Sequence, residues 1–75
     1  MKRKNITEVE ALGVHLRKIR EHRSLSQQQL ADDAGVARKT IERIENAKFT
    51  VTIDVLISIA KALGISVSEL TEGIQ

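Results

Sequence analysis

The chain has 75 residues, room for one domain, with no cysteine to form a disulfide and only two isolated histidines, too few for a structural zinc site. Its 41% apolar and 29% charged residues suit a globular protein, and Leu, Ile, Val and Ala must build the core because Phe49 is the sole aromatic residue. The net charge of +2 hides an asymmetry: residues 1–48 hold 11 Lys and Arg against 7 acids, whereas residues 49–75 hold Lys61 against 3 acids, so the N-terminal part suits a polyanion.

No proline interrupts the chain and apolar residues recur every three or four positions, which predicts short helices, tight turns and no strand. Residues 1–6, with Lys2, Arg3 and Lys4, are expected as a flexible basic arm ahead of one domain over 7–75. The arm looks like the start of a signal peptide, but polar Asn5 and a capping pattern follow it in place of an apolar segment. Thr7 with Glu10 makes a capping box for helix 1, over about 8–22, whose Val9, Leu12, Leu16 and Ile19 share a face. Ser26 with Gln29 caps helix 2 over about 27–34, Leu25 and Leu30 staple its start, and Gly35 suits the left-handed residue past its end. Helix 3 starts at Arg38, with Ile41 and Ile44 inward and Arg38, Lys39, Glu42 and Arg43 outward. Thr52 caps helix 4, which turns Leu56, Ile59, Ala60 and Leu63 to the core and stops at Gly64. Ser66 with Glu69 caps helix 5, stapled by Ile65 and Leu70. The longest apolar run, Val55-Leu56-Ile57, cannot span a membrane, so a cytoplasmic protein without a membrane partner is expected.

Catalytic and metal-binding patterns are sparse. His15 and His22 lie seven residues apart without further ligands and read as solvated, so neither a metal nor another cofactor is expected. Asp32 and Asp33 are sequential and diverge on a helix, which makes them a poor acid–base pair. Nucleophile–base arrangements and glycine-rich phosphate loops are missing, and the sequence reads as non-enzymatic. One Phe cannot supply the stacking platform that single-stranded RNA requires.

The most specific signal is the junction Gly35-Val36-Ala37 between helices 2 and 3. So short a link forces the axes to cross steeply, which needs a small residue at the crossing and a glycine at the turn; Ala31 and Gly35 meet those needs. Leu30, Ala34, Val36, Ile41 and Ile44 then bury together, and helix 3 stands out with its basic face exposed. A helix about 10–12 Å across fits a major groove about 12 Å wide.

The run Gln27-Gln28-Gln29-Leu30-Ala31-Asp32-Asp33-Ala34-Gly35-Val36-Ala37-Arg38-Lys39-Thr40-Ile41-Glu42-Arg43-Ile44-Glu45-Asn46 resembles the helix-turn-helix of the Xre-type family of phage repressors and Cro proteins, and the resemblance extends from Leu12 to about Leu70. It implies an all-α, compact five-helix lambda-repressor-like domain, with the helix-turn-helix formed by helices 2 and 3, that binds double-stranded DNA and regulates transcription. By position, base reading falls on Ala37, Arg38, Lys39, Thr40 and Arg43, and phosphate contact on Gln27, Gln28, Asn46 and Lys48. A solvated helix face and a plain polar turn are the alternatives. Arg20 and Glu45 match positions that form an ion pair in close family members. Three positions depart from the family pattern: Ala37 replaces a Ser or Thr cap, Ala47 replaces the glycine after helix 3, and Arg23-Ser24 stands where a glycine often joins helices 1 and 2.

Ile53, Ile57, Val67 and Ile74 are left over once the inward stripes are counted. Either the core wraps around them, or they form a two-fold homodimer through helices 4 and 5, which implies a palindromic operator. A module that docks another protein on the helix 4–5 surface is the competing functional class.

Overall fold

Most helix boundaries among the described residues have a local cause. The computed structural model describes residues 4–48 and 51–72, with side chains from Glu10 onward. Five helices occupy these residues: α1 (Lys4–His22), α2 (Gln27–Ala34), α3 (Arg38–Glu45), α4 (Ile53–Leu63) and the single turn α5 (Val67–Leu70), with no strand among the described residues. At α2 the Ser26 hydroxyl accepts from the Gln29 amide at 3.0 Å while the Gln29 side chain accepts from the Ser26 amide at 2.8 Å. Ser66 and Glu69 repeat the capping box at α5, and Thr52 caps α4 through the Val55 amide. Each bond satisfies a backbone donor that the helix start leaves unpaired.

The expected capping box at Thr7 does not form the start of α1, because the helix begins at Lys4 and Thr7 lies inside it. Neither proline nor glycine occurs in the turn before Thr7, so nothing stops the helix from extending upstream. Residues 1–3 of the expected basic arm lie outside the described residues, as does Phe49.

Helices α1 to α4 end alike. Past each end, one amide reaches back five residues and its predecessor reaches back three: Leu25 to Arg20 and Ser24 to Glu21, Val36 to Ala31 and Gly35 to Asp32, Lys48 to Arg43 and Ala47 to Ile44, Ile65 to Ala60 and Gly64 to Lys61. This closure needs one residue in the left-handed region. Gly35 and Gly64 hold it at φ 73° and 71°, but Ser24 and Ala47 hold it at φ 57° each, where a Cβ is unfavourable. The two departures from glycine noted in the sequence are therefore positions of local backbone strain.

The core is one cluster to which all five helices contribute: Leu12 and Leu16, Leu30 and Ala31, Ile41 and Ile44, Ile59, Ala60 and Leu63, and Leu70. Helix α2 packs on both α3 and α4, and α1 packs on α3. His15, expected to be solvated, is half-buried, with Nε2 3.0 Å from the Glu69 carbonyl oxygen, which also accepts from the Glu72 amide at 3.3 Å. His22 is exposed.

Candidate nucleic-acid interface

Burial of Ile41 and Ile44 fixes the rotation of α3 and drives its opposite face into solvent. Ala37, Arg38, Lys39 and Arg43 are exposed, and Thr40 is half-buried. Asn46 and Lys48, just past the helix, are also exposed, and the turn through Ala47 brings them beside the helix face. Lys39, Glu42, Arg43, Asn46 and Lys48 line one concavity of about 380 Å³. Four of these five are DNA-contact residues by the sequence resemblance; for Glu42 the helical period predicts only an outward face. Arg38 Nη1 lies 3.4 Å from Glu42 Oε1, a pair one helical turn apart. At the other end of the exposed face Ala37 begins α3 without any side-chain cap bond.

The opposite side of α3 is tied down by a buried carboxylate. Glu45, whose side chain has no solvent exposure, receives Arg20 Nε on Oε2 at 2.6 Å and Arg20 Nη2 on Oε1 at 3.0 Å. Arg17 Nε, at 3.4 Å, and Gln27 Nε2, at 3.1 Å, also donate to Oε1. Arg20 Nη1 donates to the Leu25 carbonyl oxygen at 2.7 Å, so one guanidinium joins α1, the α1–α2 turn and α3. Burial pushes the Glu45 carboxyl up, but hydrogen bonds from Arg20, Gln27 and Arg17, with the Arg20 charge, outweigh it and leave the group below its ordinary value. The hydrogen bond to Glu45 raises Arg20 further against an opposing effect of burial. No buried side-chain nitrogen or oxygen among the described residues lacks a partner.

The close approach behind this pair depends on Gly13, a residue that periodicity does not reveal. A Cβ at Gly13 would stand 2.5 Å from the Ile44 carbonyl oxygen and 2.9 Å from that of Glu45, so bare backbone is what lets the end of α3 lie on α1. A glycine in the middle of a helix destabilises it, and that mismatch is the signal sequence reading could have used. Arg17 escaped notice for a different reason: its spacing marks it as solvated, and only the fold brings it to Glu45.

Two expected phosphate contacts are engaged within the protein. Gln27 is half-buried and one amide hydrogen goes to Glu45; Gln28 Nε2 donates to Asp32 Oδ1 at 2.9 Å. Of the candidate dimer residues, Ile53 and Ile57 on α4 are 60% and 39% exposed, whereas Val67 is half-buried against the core. Ile74 lies outside the described residues. Val14 on α1 is also exposed, at 54%, and was not anticipated.

A helix with an exposed basic face, presented by a second helix of equal length across a glycine turn and backed by a small helical core, defines a helix-turn-helix DNA-binding protein. The Helix-turn-helix family model HTH_3 matches residues 16–70, and the chain belongs to that family, one of transcription regulators rather than enzymes. It is 41% identical over 61 residues to the control protein C.SmaI of Serratia marcescens, covering 81% of this chain and 73% of that protein. Over 59 residues it is 36% identical to the immunity repressor protein of Bacillus phage phi105, covering 79% of this chain but only 41% of the repressor. The restriction-modification controller protein C.AhdI of Aeromonas hydrophila superposes with a TM-score of 0.83 at 30% identity, over 85% of this chain and 97% of the other.

Proposed function

We propose that the chain regulates transcription by laying α3 in the major groove of duplex DNA, as a homodimer on a palindromic operator. The observation that carries this reading is the exposed row of Lys39 and Arg43, continued by Asn46 and Lys48 along one concavity. Arg43 can offer two donors to the acceptor edge of guanine, and Lys39 lies one turn before it on the same side. Ala37, Arg38 and Thr40 at the opening of α3 complete the base-reading set. Gln27, Gln28, Asn46 and Lys48 hold phosphates and set the register without carrying sequence information. Gln27 can do so while bonded to Glu45, because its amide nitrogen carries a second hydrogen. Likeness to a restriction-modification controller and to an immunity repressor supports control of transcription as the outcome of binding.

Exposed Ile53 and Ile57 support pairing of two copies through α4. Two-fold pairing would set the two α3 helices one DNA turn, about 34–36 Å, apart. The same two side chains favour, as a second reading, docking of another protein on α4 in the cytoplasm.

Anisotropy titrations of random and selected duplexes at several salt concentrations test the proposal. A groove-reading dimer making Z phosphate contacts gives a log–log slope near about −0.9Z, and selection from a random pool returns two inverted half-sites about 10 base pairs apart. Arg43→Ala relaxes sequence preference, while Gln27→Ala weakens binding to all duplexes alike. Salt-independent or undetectable binding would refute the proposal and leave the protein-docking reading.

A further inference from the structure

We infer that Arg38 and Glu42 act as one unit reading a single G·C base pair, with Glu42 accepting from the cytosine amino group and Arg38 donating to the paired guanine. The inference deepens the reading of α3 as the groove helix and rests on it.

The starting point is the placement of the two acids of α3. Glu45 is withdrawn from solvent and surrounded by donors, whereas Glu42 has a side-chain exposure of 38% and lines the concavity with Lys39, Arg43, Asn46 and Lys48. Glu42 is therefore the carboxylate of α3 that meets the DNA. A carboxylate facing a polyanion weakens binding unless a donor in the groove receives it. The major-groove edges offer two such donors, the cytosine N4 and adenine N6 amino groups.

The spacing of the Arg38–Glu42 pair selects between them. Its donor and acceptor atoms, Arg38 Nη1 and Glu42 Oε1, are 3.4 Å apart, with both side chains still open to solvent. Within a G·C pair, guanine O6 and cytosine N4 are hydrogen-bonded neighbours about 2.9 Å apart, an acceptor beside a donor. A T·A pair presents thymine O4 and adenine N6 in the same order, so the flanking atoms decide. Beyond O6 lies guanine N7, a second acceptor that a guanidinium takes in a bidentate contact, whereas beyond O4 lies the thymine methyl group. Beyond cytosine N4 lies a ring C–H, whereas beyond adenine N6 lies N7, whose lone pair repels a carboxylate. Both flanks favour G·C. A guanidinium has five N–H donors, so the bond to Glu42 leaves Arg38 able to take both guanine acceptors.

The test is selection from a random duplex pool with the full chain and with Glu42→Gln, Glu42→Ala and Arg38→Ala. A second arm measures anisotropy on the recovered duplex with N4-methylcytosine at the implicated position. The wild-type pool is expected to fix a G·C pair in each half-site that both Glu42 variants lose, with discrimination there falling roughly tenfold or more and other positions retained. Both variants bind unselected duplex more tightly than the wild type, because one repelling charge has gone. N4-methylation, which replaces the groove-facing hydrogen by a methyl group, weakens the wild type by a similar factor and leaves Glu42→Ala unaffected. Glu42→Gln is isosteric and exposed, so its unchanged melting temperature separates reading from folding. Recovery of an unaltered site by Glu42→Gln, equal weakening of both proteins by N4-methylcytosine, or loss of all binding in Glu42→Ala overturns the inference. A wild-type site that needs Lys39 and Arg43 but ignores Glu42 removes this inference alone. A wild-type chain that selects no site removes the parent reading with it.

Discussion

Replacing Gly13 by alanine sets two effects against each other, and the structure decides the sign. In an open helix the change would stabilise by about 1 kcal/mol, because glycine is a poor helix former. Here the new Cβ would stand 2.5 Å from the Ile44 carbonyl oxygen and 2.9 Å from that of Glu45. Carbon and oxygen approach no closer than about 3.3 Å in ordinary contacts, so α1 and the end of α3 must separate by most of an ångström. The obstructing atoms are backbone and have no rotamer to escape into. Overpacking of this kind costs about 1–3 kcal/mol, and more where the backbone itself has to move. We expect Gly13→Ala to destabilise by roughly 1–2 kcal/mol net, lowering Tm by about 4–15 °C for a domain of this size. The shift also carries Glu45 away from Arg20, so operator affinity falls at temperatures where the variant is still folded. Circular dichroism melts and urea titrations, paired with anisotropy on selected duplex, read both effects. A variant with Tm equal to or above the wild type would mean that α1 and α3 do not touch in this way.

Arg20→Ala strands the Glu45 carboxylate with only Arg17 and Gln27 as donors, and is expected to cost about 3 kcal/mol in urea unfolding, whereas the double variant Arg20→Met, Glu45→Leu recovers most of the loss. Because the Glu45 carboxyl lies below its ordinary value of 4.5, its contribution is complete above that pH and is lost as pH falls through the lowered value. Stability measured from pH 7 to pH 2 should therefore drop more in the wild type than in Glu45→Gln, whose starting stability is lower. Ala47→Gly and Ser24→Gly each release a left-handed residue from its Cβ and should stabilise by about 0.5–1 kcal/mol, additively, in thermal melts.

Local rules made most of the helix boundaries legible, because each rule binds residues a few positions apart. Ser26 and Gln29, Ser66 and Glu69, Gly35 and Gly64 all occupy the cap positions that their spacing predicts. Thr7 failed because a capping box only permits a start; it does not stop a helix that can continue upstream. The candidate site divides in the same way. Exposure of Arg38, Lys39 and Arg43 follows from the period of α3, whose inward positions are apolar. What spacing could not show were contacts between distant segments: Gly13 against Ile44, Arg17 and Gln27 on Glu45, and His15 on Glu69. Those depend on how α1 crosses α3 and α5, and no periodicity encodes a crossing.

The two ends of α3 are held unequally, and this bears on the groove reading proposed for it. Eight residues are too few for a helix to persist alone in water, so α3 is helical because its surroundings make it so. Its C-terminal end has Glu45 locked to Arg20, the close approach at Gly13 and the closing bonds from Ala47 and Lys48. Its N-terminal end, where Arg38 and Lys39 sit, begins at Ala37 with no side-chain cap, and Ile41 is its first buried anchor. Opening should therefore start from the Ala37 end, and amides of Thr40 to Glu42 should exchange with solvent faster than those of Ile44 and Glu45. Ordering that end on DNA subtracts from affinity. Ala37→Ser supplies the missing cap, worth about 1 kcal/mol, and should slow exchange at Thr40 to Glu42 while tightening operator binding up to about fivefold. Slower exchange without tighter binding would show that the N-terminal end is already ordered when it meets the groove; unchanged exchange would show that α3 is not limited by its cap.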